Sequence, residues 1–243
     1  MTGEARLVAI LDRAVKQERR FSFWLRDDDA VMPSKPLDRL ISLTAQYDIP
    51  LTLAVIPEQT GQALKDRLMR EHHVSVAVHG WSHRSYSTPP AKKQELGLDR
   101  GIDPVLSELR EGHEKLQALY ADRCLSMLVP PWNRIAPEIV PALPRLGFGC
   151  LSVFGPESPA VLPLLNTHVD IMDWRGTRGG RPDDELLDEV ANCLERDPPL
   201  NAIGLLAHHL VHDDQAWGFL DRFFRLTADH PACAWRRAAD LLS

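Results

Sequence analysis

Three adjacent aspartates, Asp27, Asp28 and Asp29, repel one another, so the run costs free energy unless a cation or a shared proton compensates. Further along, His79 and His83 stand four apart in His-Gly-Trp-Ser-His. That spacing lets two imidazoles meet one ion when a turn or helical arc brings them together. One carboxylate and two imidazoles, with positions left for water and substrate, make the donor set of a hydrolytic zinc-type centre. A second imidazole pair, His208 and His209, lies near the C-terminus.

Such residues need a scaffold that gathers them. Strand-like apolar runs occur at 21–25, 50–56, 74–78, 125–129, 148–153, 167–172 and 202–207. Amphipathic segments at 37–47, 61–70, 104–120, 184–196 and 214–226 alternate with them. Short strands alternating with longer helices predict βα units around a parallel sheet. The unusual polar residues follow the runs: Asp27–Asp29 after the first, His79 after the third, Pro130-Pro131-Trp132-Asn133 after the fourth, Asp173-Trp174-Arg175 after the sixth and His208-His209 after the seventh. In a parallel α/β barrel, chemistry gathers at the C-terminal ends of the strands. The expectation is a single α/β domain over 1–243, opened by a helix within 1–19.

Composition agrees and excludes other classes. The chain has 243 residues, 44% hydrophobic and 26% charged, with a formal net charge of −6. Single α/β barrels of roughly 200–250 residues are ordinary. A mildly acidic chain with no block of Lys or Arg argues against nucleic acid or an anionic membrane as partner. No stretch approaches the ~20 apolar residues of a membrane span. Charges flank the N-terminal apolar stretch, which lacks a small-residue cleavage site, so a cytoplasmic protein is expected. Cys124, Cys150, Cys193 and Cys233 show no CxxC spacing and read as reduced thiols.

The order of these motifs resembles that of the polysaccharide deacetylases, the family 4 carbohydrate esterases with NodB homology. The resemblance runs over roughly residues 20–215 and implies a distorted (β/α) barrel of about seven parallel strands. It implies that Arg26-Asp27-Asp28-Asp29-Ala30 is the first motif. With the family's prolines on Pro33 and Pro36, Asp28 becomes the general base and Asp29 a metal ligand; Asp27 is the alternative base. His79 and His83 match the His-x-x-x-His motif as metal ligands. Val129-Pro130-Pro131-Trp132-Asn133 stands where the family has Arg-x-Pro-Tyr. The resemblance implies that the backbone N–H at Trp132 takes the oxyanion role, while the arginine is missing, with Arg26 and Arg175 as the candidates to replace it. Asp173, beside Trp174, is expected to support the catalytic histidine, which is either His208 or His209. Strand alternation puts those two on opposite faces.

Trp81, Trp174, Asn133 and Arg175 are expected to face substrate. His72, His73, His113 and His230 are expected at the surface, and His168 beneath the site. The implied activity is metal-dependent hydrolysis of an amide, deacetylation of an N-acylated sugar or glycoconjugate. The alternatives are a small linear non-sugar amide as substrate, or a non-catalytic carbohydrate-binding barrel. Zinc is the default metal for this donor set, with cobalt, nickel or iron also compatible.

Overall fold

Alternation along the first strand separates two hydrophobic cores. In the computed structural model, which describes residues 2–158 and 160–242, β1 spans Phe21–Ala30. Phe21, Phe23 and Leu25 face one core, and Trp24 faces the other. The larger core lies between sheet and helices. The smaller is the sheet's concave interior, where Trp24 meets Ala54, Ala77, Met127 and Ala202. Small residues opposite one indole leave it room: a Cβ at Gly204 would collide with Trp24 Nε1 and the Asn166 carbonyl. Truncating so enclosed a ring costs about 3–5 kcal/mol.

Parallel pairing builds the rest. The strands β2 (Leu51–Val55), β3 (Val74–Val78), β4 (Cys124–Leu128), β5 (Cys150–Leu151), β6 (Val169–Asp170) and β7 (Ile203–Ala207) form with β1 one sheet in the order β5-β4-β3-β2-β1-β7-β6. The start of β1 also pairs with β8 (Cys233–Trp235), too short to show any periodicity in the sequence. The gap between β5 and β6 is bridged by backbone hydrogen bonds, Leu165 N to Leu151 O at 3.1 Å and Thr167 N to Val153 O at 3.0 Å. The sheet is thus a curled, distorted barrel, as the strand count predicts.

The helices α1 (Gly3–Lys16), α2 (Lys35–Gln46), α3 (Gln62–Leu68), α4 (Ile102–Tyr120), α5 (Asp183–Leu194), α6 (Asp214–Thr227) and α7 (Ala238–Leu241) fall close to the amphipathic segments where those exist. Among them none is long and apolar enough to cross a membrane. Two sequence expectations change. β1 runs five residues further than the apolar stretch, because the aspartates find partners inside the sheet. His113 is buried, stacked on Phe148 at 4.7 Å with Nδ1 3.0 Å from the Leu146 carbonyl.

Candidate metal centre and active site

The end of β1 distributes its three aspartates to three places. Alternation sends Arg26 and Asp28 to the interior side used by Trp24, and Asp27 to the opposite side. The ladder with β2 then slips between Asp27 and Ala30, and Asp29 adopts a left-handed φ of 72°. A bulge of this kind re-aims one side chain. Asp29 turns toward β3.

There it meets both histidines of the second motif. Asp29 Oδ1 lies 3.1 Å from His79 Nε2 and 3.2 Å from His83 Nε2. Among the described residues, this is the one group of three or more His, Cys, Asp or Glu whose ligand atoms lie close enough together, within 4.8 Å, to hold an ion. Ligands roughly 2.0–2.2 Å from one cation stand about 3 Å apart or slightly more, so the two Asp–His separations fit. The tautomer fits as well. His79 Nδ1 donates to the Val129 carbonyl at 2.9 Å, which leaves Nε2 as a lone-pair donor aimed at Asp29.

Electrostatics bind the cluster. Burial favours a neutral Asp29, but the His79 hydrogen bond and the charges of His79, His83 and His208 outweigh it and hold the carboxyl well below the usual range. Burial works against a charged His79, yet Asp28 and Asp29 raise its pKa. His83 is lowered by burial and by the neighbouring His79.

Asp28, beside this cluster, is gripped by Arg26. The guanidinium, fully buried, donates from Nε to Oδ1 at 2.9 Å and from Nη2 to Oδ2 at 3.1 Å. Its remaining donors reach Ser152 Oγ and Asn133 Oδ1, each at 2.7 Å. Arg26 is therefore the arginine that faces the carboxylate, while Arg175 is exposed on the turn that follows β6. Asn133, expected at substrate, instead holds Arg26.

Asp27 is turned away from the interior. Its carboxylate accepts the His209 backbone N–H at 2.7 Å and the His209 Nδ1 proton, with both side chains buried. Burial opposes charge on His209, but Asp27 raises its pKa, and the two side chains make a buried hydrogen-bonded pair. His209 is thereby removed from the site. His208 points to the mouth instead, edge-on to Trp174 at 4.6 Å. Its backbone N–H donates to His212 Nε2 at 3.2 Å.

The carboxylate near His208 is Asp170, not Asp173. Asp170, last residue of β6, accepts Trp174 Nε1 at 2.8 Å and the Met172 N–H at 3.0 Å. Burial raises its pKa, against a downward pull from His208. Asp173 sits three residues beyond the strand and caps a turn, accepting Gly176 N–H and Thr177 N–H, each at 2.9 Å. Its proximity to Trp174 in the chain misleads; the inward last position of β6 is the signal that identifies Asp170.

Trp132 stands against the Asp29–His79–His83 cluster, its ring 4.4 Å from that of His83. Its turn is closed by Asn133 N to Pro130 O at 2.9 Å and Arg134 N to Pro131 O at 3.2 Å. Trp81 is elsewhere: its ring lies against Gly112 of α4, so it packs the scaffold. Asp29, His83, Trp132 and Asn133 all adopt positive φ. Such backbone costs about 1–3 kcal/mol per residue and persists where surrounding contacts over-determine it. Four of these at one barrel mouth mark the place where structure is constrained by something other than stability.

Comparison with known proteins bears on the fold. No family model matches the sequence, and no curated protein sequence matches it either. Solved structures do. A candidate polysaccharide deacetylase from Mycobacterium smegmatis superposes with a TM-score of 0.67 at 14% identity, over 92% of this chain and 89% of that one. The peptidoglycan deacetylase PdaC from Bacillus subtilis gives 0.59 at 16% identity, over 92% and 90%. A family 4 carbohydrate esterase from Streptomyces lividans, in complex with acetate, gives 0.59 at 15% identity, over 87% and 90%. Across nearly its whole length, this chain has the fold of the family 4 polysaccharide deacetylases.

Proposed function

We propose that the protein is a divalent-metal-dependent hydrolase of an amide bond that removes an acyl group, acetyl first among them, from the nitrogen of a sugar or glycoconjugate. The observation that carries this reading is the convergence of Asp29, His79 and His83, with an arginine-held carboxylate, Asp28, beside them. The fold shared with a peptidoglycan deacetylase and with an esterase holding acetate supports the acyl and sugar halves of the reading.

Asp29 Oδ1, His79 Nε2 and His83 Nε2 would hold the ion, and two imidazoles with a carboxylate suit zinc, with cobalt, nickel and iron compatible. When bound, the ion supplies Lewis-acid polarisation of the carbonyl and a more acidic water. Asp28 accepts the proton of the attacking water, its carboxylate oriented by the two-pronged contact from Arg26. The Trp132 N–H is the donor assigned to the developing oxyanion. His208 delivers a proton to the departing nitrogen. Trp174 spans Asp170 and His208 and walls that side of the mouth. An arginine does face the candidate base, Arg26 on Asp28, and this favours turnover over a non-catalytic sugar-binding barrel.

The test is turnover on acetylated amino-sugars and on small linear amides, with and without chelator, beside metal analysis of wild type, Asp29→Ala and His79→Ala. Metal in the wild type and turnover lost in both variants and in chelator are expected. A wild type that holds no metal, or works unchanged in chelator, overturns the reading.

A further inference from the structure

The loop that carries His83 leaves β3 through Gly80, with both Gly80 and His83 in the left-handed region at φ 58° and 57°. Something outside the sheet must hold that shape. One side chain does: Glu95, only 1% exposed. Its Oε1 accepts Trp81 N–H at 3.2 Å, Ser82 N–H at 2.7 Å and Ser82 Oγ at 3.0 Å. Its Oε2 accepts His83 N–H at 3.1 Å. Three consecutive amides and a hydroxyl converge on one carboxylate, a nest of the kind that binds anions, filled here by the chain itself. The fit is tight, since a Cβ at Gly80 would collide with Glu95 Oε2 and Pro131.

The segment bearing Glu95 also touches the other side of the mouth. Leu96 O accepts Ala136 N–H and Lys93 O accepts Arg134 Nη1, both at 2.8 Å. Lys93 Nζ lies 5.9 Å from the centre of the Trp132 ring. One strap, residues 93–96, thus braces the His83 loop and the Trp132 turn together.

We propose that Glu95 is a positioning residue of the metal centre: its carboxylate holds His83 in the conformation that brings Nε2 to Asp29. The inference rests on the metal-dependent reading above. Charge is required, and shape alone does not suffice. A glutamine would aim its own N–H donors at amide donors, leaving buried groups unmatched and freeing the loop.

The experiment measures Zn²⁺ affinity of the full chain by competition with a chromophoric chelator, the visible spectrum of the Co²⁺ form, and thermal unfolding in chelator. Glu95→Gln is expected to bind Zn²⁺ about 10–100-fold more weakly, with an altered Co²⁺ spectrum, and Glu95→Asp to regain part of the loss. A residue that only glues a loop would move the melting temperature of the metal-free protein and leave metal affinity alone. Affinity within about twofold of wild type and an unchanged Co²⁺ spectrum in folded Glu95→Gln overturn the proposal. Should that variant not fold, Ser82→Ala decides: about threefold weaker Zn²⁺ binding supports the proposal, and unchanged binding overturns it. A wild type that binds none of Zn²⁺, Co²⁺, Ni²⁺ and Fe²⁺ sinks the hydrolase reading itself, and this proposal with it; intact wild-type binding with an indifferent Glu95 variant sinks this proposal alone.

Discussion

The two sides of the barrel mouth are built by different means. On the side of β1 and β3, each group is defined by where its strand ends: a bulge turns Asp29 out, and a short loop after Val78 presents His79 and His83. On the side of β4 and β7, groups are selected by partners remote in the chain, Asn133 by Arg26 and His209 by Asp27; on β6, Trp174 folds back on Asp170 four residues earlier. The difference teaches that residue type and spacing specify donors for an ion well, since an ion needs only convergence. Acid and base roles depend on which neighbour each group faces, and spacing does not encode that.

The comparison can be broken at Arg26, which joins the two sides. Arg26→Met leaves Asp28 buried without its partner and is expected to destabilise the fold by about 3–5 kcal/mol in urea unfolding. Arg26→Lys should recover only part, because one ammonium cannot reproduce the forked contact. A methionine variant as stable as wild type would show that the pair does not hold the β1 side.

The remote side is tested by exchanging its two aspartates. Asp170→Asn is expected to lower kcat roughly 10–100-fold with Zn²⁺ affinity unchanged, about 1.4–2.7 kcal/mol of transition-state stabilisation. Equal effects from Asp170→Asn and Asp173→Asn would undo the distinction drawn between them.

A pH measurement sharpens the same side. Burial pushes His212 from 6.5 down to about 4, with His209 and His208 adding to the fall. Between those values the unfolded chain holds a proton there that the folded chain refuses, so stability drops as pH falls through that window. At pH 5 this amounts to about 2 kcal/mol. His212→Gln should flatten that part of the stability curve relative to wild type, measured as urea midpoints at pH 5 and pH 7. Parallel curves would mean that His212 titrates normally.

The smallest effect is expected at Asp173. Asp173→Asn should leave kcat within about twofold, since the carboxylate only caps an exposed turn.

What could be read from the chain follows the same divide. The strands with continuous apolar runs, β2, β3 and β7, were legible because both faces are buried. β5, β6 and β8, of two or three residues, carry too little pattern to be bounded. The convergence of Asp29, His79 and His83 was legible because an aspartate run and a His-x-x-x-His pair each follow the end of an apolar run. Asp173 and Asp170 are not distinguished by the chain, because Trp174 adjoins the first and bonds the second, and Glu95 leaves no trace, as its donors are largely backbone amides that any sequence has.

The amino-acid order by itself determined a parallel α/β barrel and a mouth bearing an aspartate with two histidines, because hydrophobic period and strand-end position are local properties. Only the tertiary structure decided which aspartate faces which histidine, which arginine serves Asp28, and what holds His83 in place. Those choices follow from strand alternation, one bulge and contacts across the barrel, where a single residue of register reverses the direction of a side chain.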